Sequence, residues 1–183
     1  MFHYYDCSEL LFRAVKDANF EEVNRLLSIA SAATGTIFDI VNEEDDNGMT
    51  PLIEACISGD ERIVRLLLDS GAKSQLWCAK HTPLRGAAIC GHHHIIPILL
   101  NAGANPNLVS EGNRTPLMGA CFLRENVPKE KRALCVKALF DCYPLDLDPT
   151  RRNSFGESAL DLARIRGYEE SIQILEKAMD RVA

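Results

Sequence analysis

The chain has 183 residues and a formal net charge of −6, from 26 acidic and 20 basic side chains, with seven cysteines at 7, 56, 78, 90, 121, 135 and 142. An acidic balance without a Lys/Arg cluster lacks the basic stripe that a phosphate backbone demands, which excludes nucleic acid as the expected partner. No apolar run approaches the roughly 20 residues of a membrane helix, MFHYYDCSELLF lacks the basic-then-apolar order of a signal peptide, and the odd, scattered cysteines read as reduced thiols; a soluble intracellular chain, cytoplasmic or nuclear, is expected.

In chain order, Glu9-Leu10 and Ala14, then Val23, Leu26 and Leu27, keep helical spacing, and Asn19 with Glu22 has the form of a capping box opening the second helix. The stretch SIASAATGTIF, residues 28–38, is poor in charge and rich in small residues, and predicts a mobile loop. Next, Thr50 can accept bonds from the free amides that open a helix, and Pro51 fits the first helical position, where no amide hydrogen is needed. Gly59 stops that helix, Ile63, Val64, Leu66 and Leu67 stripe a second one, and Gly71 closes it. The same order returns as Thr82-Pro83-Leu84, Ala87, Ala88 and Gly91, followed by Ile95, Ile96, Leu99, Leu100 and Gly103; Pro97 is expected to kink this second helix. It returns again from Thr115-Pro116-Leu117, where Arg124 replaces the glycine between helices and RENVPKEKR is inserted. Aligning Thr115 with Thr50 and Val136 with Val64 leaves seven extra residues, close to two helical turns. Pro128 suits a helix start, so a longer, protruding second helix is expected, its Ala133, Val136 and Leu139 stripe unchanged. A weaker copy, Ser158-Ala159-Leu160 with Gly167, Ile172, Ile174 and Leu175, ends the chain with a charged surface.

The threonines at 50, 82 and 115 lie 32 and 33 residues apart, and several independent motifs share that period. The pattern resembles the ankyrin repeat, whose period is about 33 residues with a T-P-L-H-x-A signature. The resemblance implies an all-α ankyrin-repeat solenoid, with stacked helix-turn-helix units and projecting β-hairpin loops. It implies one domain, 1–183, in five units: 1–42 as an N-terminal cap, 43–75, 76–107, 108–147 with the helix insertion, and 148–183 as a C-terminal cap. The histidine of the signature is Ile53, Arg85, Met118 and Asp161 here, a departure at every unit.

For the family, hairpins and first helices line a concave groove that recognises proteins. Carried onto this chain, the hairpin positions are Asp46, Asn47 and Met49; Cys78, Ala79 and His81; Glu111 and Arg114; and Phe155 and Glu157. The exposed ends of the first helices bring Ile57 with Ser58, Ile89 with Cys90, Phe122 with Leu123, and Ile165 with Arg166. Trp77, alone of its type, is either packed against the adjacent hairpin or an exposed anchor. The acidic run Glu43–Asp46 is either a solvated loop or the complement of a basic partner.

No nucleophile with its base, no paired carboxylates in a signature context and no phosphate-cradling glycine loop is present. The expectation is a non-enzymatic adaptor or inhibitor, monomeric alone, with a protein partner, no cofactor and no bound metal. The alternative is a metal- or redox-responsive module using Cys78, His81, Cys90 and His92, His93 and His94. Consecutive histidines on a helix diverge and cannot all face one ion. Cys56 and Cys121, in the slot of Ala88, read as small apolar fillers.

Overall fold

A computed structural model describes residues 4–32, 37–76, 81–122, 124, 126–142 and 147–180. Among these residues there are eleven helices and no β-strand: α1 (Tyr4–Lys16), α2 (Phe20–Ala32), α3 (Ile37–Asn42), α4 (Pro51–Ser58), α5 (Glu61–Asp69), α6 (Pro83–Cys90), α7 (Ile95–Asn101), α8 (Pro116–Ala120), α9 (Lys129–Cys142), α10 (Ala159–Arg166) and α11 (Glu169–Met179). They form two layers. The first helices α1, α4, α6, α8 and α10 pack side by side in that order, and the second helices α2, α5, α7, α9 and α11 stack behind them. This is the all-α solenoid that the repeat period implies.

Three first helices start in the same way. The hydroxyls of Thr50, Thr82 and Thr115 accept the amides of Ile53, Arg85 and Met118 at 3.3, 3.2 and 3.2 Å, and a proline follows each threonine. All three threonines are buried, so each cap bond forms away from competing water. Two of these helices end on a glycine in the left-handed region, Gly59 at φ 88° and Gly91 at φ 79°, and α10 ends likewise on Gly167. Gly59 and Gly91 are covered from the next unit: the His92 ring lies over Gly59, and Val127 with Lys131 lies over Gly91.

Four expectations are corrected by tertiary packing. Residues 28–32 continue α2 and residues 37–42 form α3, so the stretch 28–38 is not simply a loop; residues 33–36 lie outside the described residues. Ala30, Ile40 and Val41 are buried, and α3 packs against α1, α2 and α4, which supplies the apolar contact that a short helix needs in water. In α1 the buried residue is Leu11, with Ala14 and Val15, while Leu10 is exposed. Pro97 does not fall beyond the first turn of α7. The N-cap aspartate of α5, Asp60, accepts the amides of Arg62 and Ile63. His92 holds its slot with its ring turned to Ile57 O, and His94, the residue before α7, makes no side-chain cap bond; α7 opens only at Ile95, and Pro97 sits where amides lack helical acceptors.

The fourth correction concerns the insertion. α9 is 14 residues long against nine in α5, and Arg132, Ala133, Cys135, Val136 and Leu139 are buried along it. The inserted stretch does not simply protrude: residues 124, 126 and 128–131 are exposed, but Val127 and Arg132 turn back onto the stack. Val127 rests on Gly91, Lys129 and Glu130 lie beside Gly167–Ser171, and Arg132 is among the largest fully buried side chains. Its guanidinium donates to the carbonyls of Phe122 and Arg124, the latter at 2.6 Å, and lies 5.2 Å from the Tyr168 ring centroid. Where Arg124 has displaced the terminating glycine, Arg132 supplies donors to the chain leaving α8.

Candidate partner-binding surface

The loops preceding α4 and α10 are built alike. Asp45 Oδ1 accepts the amides of Asn47 and Met49 at 2.8 and 2.9 Å, and Asn153 Oδ1 accepts those of Phe155 and Glu157 at 2.9 and 3.0 Å. The loops close through Asp45 N to Met49 O and Asn153 N to Glu157 O, both 2.9 Å. Between them in sequence, Ser110 and Arg114 exchange backbone bonds across a single β-bridge. That hairpin is tied to the next by Ser154 N to Gly112 O at 2.9 Å and by Asn113 Nδ2 to Arg152 O at 2.6 Å. The short polar side chains thus hold the hairpins as fixed ridges beside the first helices.

Two cavities open between hairpins and first helices. One of about 580 Å³ lies between α1 and the loop before α4; Glu9, Glu43, Glu44, Asp45 and Asp46 line it against Arg13 and Lys16. The other, about 100 Å³, is framed by three successive units: Arg85 from α6, Arg114 from its hairpin, Met118 and Phe122 at α8, Phe155 and Glu157 from the last hairpin, and Leu162 and Arg166 from α10. The first cavity is acidic and the second basic. Arg85 is buried because the slot facing it, Gly119, has no side chain; a Cβ there would lie 3.1 Å from Arg85 Cγ. Its Nη1 lies 2.8 Å from His81 Nδ1, and burial together with the Arg114 charge lowers its pKa to about 10.

A family model described as ankyrin repeats (3 copies) matches residues 5–77, and another described as ankyrin repeat matches residues 80–111. Together they span more than half of the chain. The protein belongs to the ankyrin-repeat family. Ankyrin repeats are generally protein–protein interaction modules. The matched residues end before α8, yet α8 to α11 continue the same two layers, so the ankyrin stack extends through the altered units.

The expected contact residues of this ankyrin surface fall into distinct places. Asp46 lines the acidic cavity, and Arg114, Phe122 and Phe155 line the basic one. Phe155 at the hairpin tip is 74% exposed and Ile165 near the end of α10 is 62% exposed. Asn47 and Glu111 are exposed, whereas Ile57 is half-buried in a cluster with Phe12, Met49 and Ile53. Met49 and Ile89 are buried, at 9% and 7%, so they shape the surface from beneath. Trp77, Cys78, Ala79 and Leu123 lie outside the described residues. Glu157 and Arg166, a hairpin and a helix-end position, line the basic cavity too, whereas Arg85, Met118 and Leu162 were not singled out as contact residues. The one signal was Arg85 and Met118 standing where the ankyrin signature has histidine.

His81, Cys90, His92 and His94 of the Cys/His set are each engaged by other contacts. His92 Nε2 lies 3.0 Å from Ile57 O and His94 Nε2 3.4 Å from Gly59 O, so both serve the end of α4. Arg124 Nη1 lies 2.6 Å from Cys90 Sγ, and His81 meets Arg85. Burial lowers the His92 pKa and raises those of Cys56, Cys90, Cys121 and Cys135, the last two to about 12. Cys56 and Cys121 are fully buried fillers. Among the described residues, no group of three or more His, Cys, Asp or Glu side chains is arranged to hold a metal ion, and no helix is long and apolar enough to cross a membrane.

Proposed function

We propose that this ankyrin stack is a non-enzymatic adaptor or inhibitor that holds a partner protein along the face formed by its hairpins and first helices. The observation that carries this reading is the cavity where α6, α8, α10 and two hairpins converge, with Phe155 and Ile165 exposed on the same elements. Exposed aromatic and aliphatic side chains beside arginines have the composition of an interaction hot spot. The rigid backbone beneath them limits the ordering cost of association.

Quantitative affinity capture tests it. Wild type is compared with Phe122→Ala/Phe155→Ala/Ile165→Ala and with Ile29→Ala/Phe38→Ala, which removes exposed apolar residues from α2 and α3 instead. The expected outcome is a set of proteins retained by wild type and by the second variant but lost with the first, both variants keeping the wild-type circular dichroism. Equal retention by all three would sink the proposal.

A further inference from the structure

We infer that the cavity between α6, α8 and α10 is a carboxylate-binding pocket, which takes a glutamate or aspartate of an acidic peptide segment in the partner. This rests on the function proposed above and names the chemistry that the groove selects.

Three guanidinium-bearing side chains, Arg85, Arg114 and Arg166, line about 100 Å³ together with one carboxylate, that of Glu157. Glu157 is already engaged, since its Oε2 accepts Asn153 Nδ2 at 2.9 Å. The lining therefore carries an excess of positive charge in a chain whose net charge is −6. Arg85 is 3% exposed, and the bare Gly119 backbone admits it to this place. The Arg114 guanidinium carbon stands 5.9 Å from the Phe122 ring centroid, which holds that arginine over the aromatic wall. Burial and the neighbouring Arg114 both oppose the charge on Arg85, and an entering anion would relieve both effects.

The walls decide among anions. Phe122, Phe155 and Met118 present apolar surface around the guanidinium groups, which suits the methylenes of a glutamate or aspartate whose carboxylate reaches the arginine forks. A lysine or arginine would meet like charge. The opposite end of the same face, lined by five carboxylates and two cations, would repel the acidic segment, so the peptide is confined to the C-terminal half of the groove.

A random 12-residue peptide library displayed on phage, panned against the full chain, tests this. We expect enriched sequences to share an acidic residue beside an apolar one. The most enriched peptide and its Glu→Gln or Asp→Asn counterpart are then titrated by fluorescence anisotropy against wild type, Arg114→Gln/Arg166→Gln, Phe122→Ala/Phe155→Ala and Asp45→Asn/Asp46→Asn. Amidation of the peptide, or loss of the two arginines, should each weaken binding by about tenfold or more. The two changes together should weaken it little further, and the Asp variant should bind as wild type does. Arg85 is kept in all variants because it is buried.

Enriched peptides that lose affinity with Phe122→Ala/Phe155→Ala but tolerate both amidation and arginine loss would overturn the carboxylate pocket and leave the groove reading standing. Peptides indifferent to all the groove variants, or a library yielding no binder, would overturn both. A phosphoserine peptide that binds where its glutamate counterpart does not would also overturn the assignment, because the apolar walls would then not be selecting the ligand.

Discussion

Replacing Arg132 by methionine removes the guanidinium while keeping an apolar stem of similar reach. In the native chain this group donates to the carbonyls of Phe122 and Arg124 and lies against Tyr168. Losing the donor to the part-buried Phe122 carbonyl costs about 1–3 kcal/mol, whereas the Arg124 carbonyl keeps the Val127 amide at 3.1 Å. The loss is offset in part because a charge no longer has to be held out of water. A net destabilisation of about 1–2 kcal/mol follows, which corresponds to a fall in Tm of about 2–8 °C at this chain length. Arg132→Lys keeps the charge but not the planar fork that spans two carbonyls, and should fall between wild type and Arg132→Met. Thermal and urea unfolding followed by circular dichroism measures both. If Arg132→Met melts within about 1 °C of wild type, the chain leaving α8 is satisfied in some other way, and Arg132 is not standing in for the missing glycine.

The remaining predictions concern the ends of the same helices. Gly59→Ala should cost about 3 kcal/mol by urea titration, since φ is 88° and the added methyl would lie 2.3 Å from the His92 ring. Gly167→Ala, with φ 66° and nothing within 4 Å of the added methyl, should cost only the backbone term, about 1–2 kcal/mol; equal losses would mean that His92 moves aside freely. Thr82→Ala should lower stability by about 1 kcal/mol through loss of its bond to the Arg85 amide, and a change below about 0.3 kcal/mol would deny the cap that role. Burial lowers the His92 pKa below its ordinary 6.5. The unfolded chain therefore binds the extra proton first, and the stability present above pH 6.5 is lost as pH falls from 6.5 through the lowered folded value. His92→Gln, which can still donate to Ile57 O, should flatten the urea midpoint over that range; an unchanged slope would assign the pH dependence elsewhere.

The helix boundaries were legible because their causes are local. A threonine three residues before the amide it accepts, a proline at the first helical position and a glycine that must adopt positive φ all act within one turn of chain. The three starts at 50, 82 and 115 and the stops at Gly59 and Gly91 fall where those residues place them. Where the same kind of reasoning failed, the partner lay far along the chain. Ile40 and Val41 made α3 a helix because it had α1, α2 and α4 to pack on, which the composition of SIASAATGTIF did not reveal.

The candidate site divides in the same way. Arg114, Phe122 and Phe155 were legible as surface positions from the repeat period, and all three line one cavity. Arg85 was visible only as a departure from the signature, because its burial depends on Gly119, a residue of the next unit. Met49 and Ile89 looked like contact residues on the period alone and lie beneath the surface.

By itself, then, the sequence determined the period, the caps, the breaks and hence the ankyrin stack, since each follows from short-range sterics and hydrogen bonding. Only the tertiary structure decided which charges are buried. An arginine enters the interior where a neighbouring unit leaves room, as Gly119 does for Arg85, or carbonyls in need of donors, as the end of α8 does for Arg132. Both conditions belong to the contact between elements and to neither element alone.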